Sequence, residues 1–105
     1  MLTEYRLSVS AQQQLVDIYR YTLNRWGEAQ ADHYAIFQAI AEGEVPGRLI
    51  EPEYGVAGSH APCGKHVVFW KRLGDGSVGI AEILHQRMNI GDHLAGSAML
   101  NQDRD

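Results

Sequence analysis

The 105-residue sequence has a single cysteine, Cys63, three prolines and no apolar run long enough to cross a bilayer. One cysteine excludes an intramolecular disulfide and a cysteine-rich metal centre. Together with the absence of a basic-then-apolar leader at Met1–Arg6, it points to a reducing, cytoplasmic setting. A membrane-spanning helix needs roughly 20 apolar residues in succession, so none is expected. There is no excess of positive charge. Nine Lys and Arg stand against 13 Asp and Glu, for a net charge of −4, which is a poor footprint for a nucleic-acid binder. The sequence also lacks a phosphate-binding glycine loop, a His-x-x-x-His pair and a paired-cysteine zinc pattern. No cofactor and no metal are expected.

What is present is ordinary for one globular domain: 45% apolar and 21% charged residues. We place that domain at residues 1–95, with a flexible tail over 96–105. A chain of this size buries a modest core, and no second hydrophobic centre is expected. The chain is organised around Pro62–Leu94. Lys65–Arg72 and Val78–Leu84 are β-rich runs separated by Leu73-Gly74-Asp75-Gly76-Ser77, and an Asp-Gly pair in that position signals a hairpin.

Ahead of this ribbon, Thr3–Leu7 reads as a short strand. Ser8 or Ser10 is placed to cap a helix starting near Ala11. Leu15, Ile18, Tyr19, Thr22 and Trp26 draw an apolar stripe along that helix, and Gly27 is placed to end it. A second helix follows from Glu28, with Tyr34, Phe37 and Ala41 facing inward, Ile36 and Ile40 widening the stripe, and His33 on the surface. Gly43 and Pro46 stop it. An irregular crossing over Gly43–Gly58 is tacked down by Leu49 and Ile50. Val56–Ala61 is a weak strand, and Pro62-Cys63-Gly64 turns into the ribbon.

The predicted architecture is α+β, in the order β-α-α-β-β-β: an N-terminal strand, then a helical hairpin on one face of a small, mostly antiparallel sheet. The other face has no element to cover it. Val67, Val68, Phe69 and Trp70 are apolar at both strand parities, so some of them are expected to face outward and mark a partner site.

The histidine at the ribbon's exit is the main chemical candidate. An RNA-cleaving site needs a general base, a general acid and a cation for the phosphorane. His85, Glu82, Lys65 and Arg87 supply those types. The alternative is structural: His85 hydrogen-bonds at a strand end and Arg87 pairs with a carboxylate. The acidic balance of the chain favours that alternative over RNA binding.

Several stretches, in order, resemble one family: Leu7-Ser-x-x-Ala11, Asp17-Ile18-Tyr19-x-Tyr21, Arg25-Trp26-Gly27-x-x-x-Ala31, Pro62-x-Gly64-Lys65-His66-Val67-Val68-Phe69-Trp70 and Ile83-Leu84-His85-Gln86-Arg87-Met88. This set is similar to the ParE toxins of type II toxin–antitoxin systems, in the RelE/ParE superfamily. The resemblance implies a ParD-like antitoxin as partner and DNA gyrase as the target, poisoned by binding rather than by a reaction. Ribosome-dependent mRNA cleavage, as in RelE-like relatives, is the second reading. On the first, Lys65, Lys71, Arg72, His85 and Arg87 are the expected target contacts, and Val67, Phe69 and Tyr54 the expected antitoxin contacts. Two features depart from the family pattern: a second helix and crossing that look short, and Ser59-His60 where an arginine is expected.

Overall fold

The computed structural model describes residues 4–21 and 26–101. The elements in chain order are β1 (Tyr5–Leu7), α1 (Val9–Tyr21), α2 (Trp26–Ala41), β2 (Arg48–Leu49), a 3-10 turn (Pro52–Tyr54), β3 (Ser59–Cys63), β4 (His66–Arg72), β5 (Val78–His85), α3 (Ile90–Ala95) and α4 (Ala98–Asn101). The strands form one sheet in the order β1-β5-β4-β3-β2. β1 lies parallel to β5, and the other three pairings are antiparallel. The α+β class, the helical region after an N-terminal strand and the mostly antiparallel sheet all agree with the sequence reading.

The β4–β5 hairpin closes as expected of its turn residues. Gly76 N–H donates to Leu73 O, and Leu73 N–H to Ser77 O. Gly76 takes the left-handed conformation at φ +89. Asp75 Oδ1 accepts from both the backbone N–H and the hydroxyl of Ser77. Those bonds, helped by Arg6 at 3.0 Å, hold the Asp75 carboxyl below its usual pKa.

Ser8 caps α1, its Oγ accepting from Ala11 N–H at 2.9 Å. The helix begins at Val9, two residues earlier than expected. Trp26 and Gly27 belong to α2, which begins at Trp26, so Gly27 does not end α1. Thr22 lies outside the described residues. On α2 the buried stripe is His33, Phe37, Ile40 and Ala41. It is rotated from the expected one, leaving Tyr34 38% exposed and His33 only 5% exposed. Of the crossing, Ile50 is buried as expected but Leu49 is 79% exposed. Pro62 and Cys63 continue β3, and only Gly64 and Lys65 make the turn.

α1 and α2 cover one face of the sheet. Ala11, Leu15, Tyr19, Phe37, Ile40 and Ala41 pack there on Ala61, Val68, Trp70, Val78, Ile80 and Ile83. The opposite face is not bare. Phe69, Ala81 and Leu84 form a second buried cluster with Ile50, Leu94 and Leu100. Tyr54, Val56, Val67, Ile90 and Met99 border it. This corrects two expectations, a single hydrophobic centre and an uncovered face. The physical cause lies in the segment after residue 90, which was expected to end in a frayed tail. Residues 90–101 instead form α3 and α4, and these return across the sheet. Leu94 and Leu100 are 0% and 2% exposed. Asn89 caps α3 by accepting from Asp92 N–H, and Ser97 Oγ accepts from Leu100 N–H in α4.

A bulge in β5 decides which side chains face which layer. Phe69 pairs with Glu82 but Trp70 pairs with Ile80, so Ala81 is the extra residue. The insertion resets the side-chain alternation. Ile80 and Ile83, three residues apart, therefore both reach the helical layer. Beyond Ile80, β1 has ended, and helix side chains take over the hydrogen bonding of this edge. Ser8 Oγ donates to Ala81 O at 2.6 Å, and Ile83 N–H donates to Gln14 Oε1 at 2.7 Å. Ser8 thus serves both the helix start and the bulge. Ser8→Ala is expected to cost about 2 kcal/mol, combining a lost cap with a stranded carbonyl. Urea unfolding measures it, and a loss below about 0.5 kcal/mol contradicts the dual role.

Candidate interaction site

The ribbon has two ends, and the sequence-predicted residues divide between them. At one end lie the Gly64-Lys65 turn, His66, and the exit His85-Gln86-Arg87. The turn and exit are joined by Gln86 N–H donating to Lys65 O. At the other end lie Arg72 and the 73–77 turn, where Arg72 donates to Gly76 O. β4 runs seven residues between them, which is roughly 20 Å of extended chain. Lys65, Lys71 and Arg72, all expected target contacts, therefore do not share one surface. Lys71 is also buried, at 7% exposure. Lys65, Arg72 and Arg87 are exposed.

The first end holds a cleft of about 380 Å³ between α1 and the ribbon. Gln14, Asp17, Ile18, His66, Ile83, His85 and Met88 line it. α1 supplies one wall because its cap fixes where Gln14, Asp17 and Ile18 fall along β5. The imidazoles come from facing positions, since His66 and His85 pair across β4 and β5. Their ring centroids are 5.5 Å apart at 86°. His33 of α2 adds a third ring, 5.8 Å from His66. Tyr19 stands edge-on to His33 at 5.9 Å. Burial pushes the Tyr19 hydroxyl pKa up to about 12, with smaller contributions from Tyr34, Cys63 and Tyr5.

His85 Nδ1 accepts the backbone N–H of Arg87 at 3.1 Å. In the neutral ring this leaves the proton on Nε2. His66 is held below its ordinary pKa, chiefly by burial and then by the charges of His33 and His85. The unfolded chain therefore takes up this proton before the folded one does. Stability is fully present above about pH 6.5, the ordinary histidine value, and is lost progressively as the pH falls below it. Urea midpoints are expected to drop between pH 7.5 and 5, with a shallower drop in His66→Gln. An equal drop in both contradicts the assignment.

Glu82 does not join His85. It is 3% exposed, and its Oε1 accepts from Gln14 Nε2 at 2.8 Å. The four residues considered for RNA cleavage thus split into an exit group (Lys65, His85, Arg87) and a carboxylate committed to Gln14. The sequence reading missed Gln14, whose position in the run Gln12–Gln14 carries no local signal for it. Among the described residues, no group of three or more His, Cys, Asp or Glu side chains is arranged to hold a metal ion.

Tyr54, Val67 and Phe69 do come together, on the other face. With Glu51, His60 and Ile90 they line a smaller slot of about 190 Å³. Phe69 is 3% exposed and lies against His60, ring centroids 5.6 Å apart. His60 Nε2 is 3.9 Å from Glu51 Oε2. Of the three expected contacts, Tyr54 and Val67 are half-buried and Phe69 is enclosed, and the slot also presents the exposed Glu51. No helix among the described residues is long and apolar enough to cross a membrane.

A family model described as the ParE toxin of the type II toxin–antitoxin system parDE matches residues 5–90. The chain is 42% identical over 95 residues to Toxin ParE1 of Caulobacter vibrioides, covering 86% of this chain and 96% of that one. It is 34% identical over 103 residues to Toxin ParE1 of Mycobacterium tuberculosis, covering 90% and 100% respectively. It is 35% identical over 100 residues to Toxin ParE of Escherichia coli, covering 90% and 95%.

Proposed function

The chain belongs to the ParE toxin family of type II toxin–antitoxin systems, and from that premise we propose that it acts by binding, as a cytoplasmic poison of DNA gyrase that a ParD-like antitoxin neutralises. The observation that carries the binding reading is the placement of Glu82. A nuclease at the ribbon's exit needs a free base beside His85; Glu82 is enclosed and held by Gln14, and Asp17, the carboxylate that shares the cleft, accepts from Gln13 Nε2 at 3.3 Å. An exit with Lys65, His85 and Arg87 but without Glu82 is suited to gripping a partner. Those three residues are the proposed target contacts. Arg72, at the far end, is not in the same footprint, and Lys71 is enclosed. The slot edged by Tyr54 and Val67 is the proposed antitoxin contact, with Phe69 as its floor.

The test is expression of the chain without its partner, followed by inspection of DNA and mRNA from the same cells. Gyrase-dependent DNA breaks and an SOS response are expected, both suppressed by co-expressing a short neighbouring frame that encodes a ParD-like protein. Cuts in translated mRNA over intact DNA would overturn the proposal in favour of ribosome-dependent cleavage.

A further inference from the structure

The slot on the second face carries one carboxylate among apolar and aromatic walls. Glu51 stands at the start of the 3-10 turn Pro52–Tyr54, and Tyr54 N–H donates to Glu51 O at 3.1 Å. Side chains three residues apart fall on one side of such a turn, and Glu51 and Tyr54 both line the slot. Pro52 stiffens the entry to the turn, and the Tyr54 ring lies against Gly91 at the start of α3. Carboxylate and ring are therefore held at a set spacing. Within the chain the carboxylate is little used. Its side chain is 53% exposed, and His60 Nε2 stands 3.9 Å from Oε2, beyond hydrogen-bond reach. Among the described residues, no Lys or Arg forms an ion pair with Glu51.

We propose that this slot takes one arginine side chain of the antitoxin, its guanidinium paired with Glu51 and stacked on Tyr54. The inference rests on the reading of the slot as the antitoxin contact. A partner that covers the slot must supply a donor to the carboxylate, because an enclosed charge without one is strongly destabilising. An apolar side chain would fill the space and strand Glu51. Arginine meets both demands. Its stem is suited to Val67 and Ile90, and its planar fork of donors matches a carboxylate. An aromatic face attracts the same cation, and Tyr54 provides one at the slot's edge. The Phe69 floor is already faced by His60, ring centroids 5.6 Å apart, which leaves Tyr54 as the stacking surface. A volume of about 190 Å³ suits one long side chain rather than a helix. Nearby charge has the matching sign. Glu53 is exposed beside Tyr54, while Arg48, exposed and opposite His60 on β2, is the one cation close in the chain. Lysine shares the charge but lacks the fork and the flat face, so arginine is the better occupant.

Double-mutant cycles between the full chain and the antitoxin encoded by its neighbouring frame test the assignment, with Kd read by titration calorimetry. Glu51→Gln keeps the shape and removes the charge at a surface position, so it is expected to fold and to weaken binding about tenfold or more. Each antitoxin arginine is replaced by alanine in turn. One of these replacements should weaken binding to the starting chain by a similar factor, yet change binding to Glu51→Gln by less than about threefold. Binding of Glu51→Gln within about threefold of the starting chain overturns the inference, and Tyr54→Ala then shows how far the failure reaches. If Tyr54→Ala weakens binding about tenfold, the slot is still the antitoxin contact and only its occupant is wrong. If Tyr54→Ala also binds within about threefold, the slot is not the antitoxin contact, and that part of the functional reading falls too. A loss in Glu51→Gln that couples to a lysine, or to no basic residue, likewise overturns the arginine.

Discussion

Gln14→Leu is expected to destabilise the fold by about 3 kcal/mol. Two buried partners lose their bonds at once: the Glu82 carboxylate loses the Nε2 donor, and Ile83 N–H loses the Oε1 acceptor. Bonds to a charged group are worth about 1.5–3 kcal/mol, and stranding a buried backbone donor costs about 1–3. For a domain near 100 residues, such a loss lowers the thermal midpoint by roughly 10–20 °C. A second substitution separates the two contributions. Glu82→Leu in the Gln14→Leu background removes the stranded carboxylate but leaves Ile83 unsatisfied, so it should recover part of the loss. Full recovery, or none, would show that the bonds do not divide in this way. Glu82→Gln alone keeps a side chain that can bond Gln14, and it is expected to leave toxicity within about threefold of the starting protein. A catalytic base would not tolerate that change.

Leu100→Ala should cost about 2–4 kcal/mol, the range for truncating a large aliphatic side chain in a packed core. Leu100 is 2% exposed and belongs to the cluster with Ile50, Phe69, Ala81, Leu84 and Leu94. Chemical denaturation measures the cost. A change within 0.5 kcal/mol would mean that residues 98–101 do not pack as described, and that the tail expected from the sequence is the better account. The same measurement bears on the partner surface. If α4 is released, Phe69 and Leu84 lose part of their cover, while Ile50 and Leu94 still pack on the second face. Gly58→Ala is a useful comparison in the same region. Gly58 sits at φ +146, and a Cβ there would approach Trp70 O to 2.6 Å, so both backbone strain and a backbone clash oppose it.

Local chemistry made much of this protein legible from residue order. The Asp75-Gly76 turn, the Ser8 cap, the apolar spacing of α1 and the unbroken run Val67–Trp70 each have a short-range physical cause. Together they give an α+β layer arrangement and a mostly antiparallel sheet. The 73–77 turn, the Ser8 cap and the α1 spacing depend on neighbours within a few residues, so the sequence alone determines them. The ordered motifs from Leu7 to Met88 also mark the family by residue order alone.

Tertiary structure decided what depends on contacts between distant residues. The Ala81 bulge, the capture of Glu82 by Gln14 across 68 positions, and the meeting of His33, His66 and His85 from three elements have no local signature. Nor does the return of α3 and α4 over the second face: their helices are short, and only burial against Phe69 and Leu84 makes Leu94 and Leu100 core residues rather than tail. Separation along β4 likewise placed Lys65 and Arg72 at opposite ends, although seven positions of sequence make them look like neighbours. An extended strand turns sequence distance into spatial distance, while a fold-back helix or a pleated pair brings remote residues into contact.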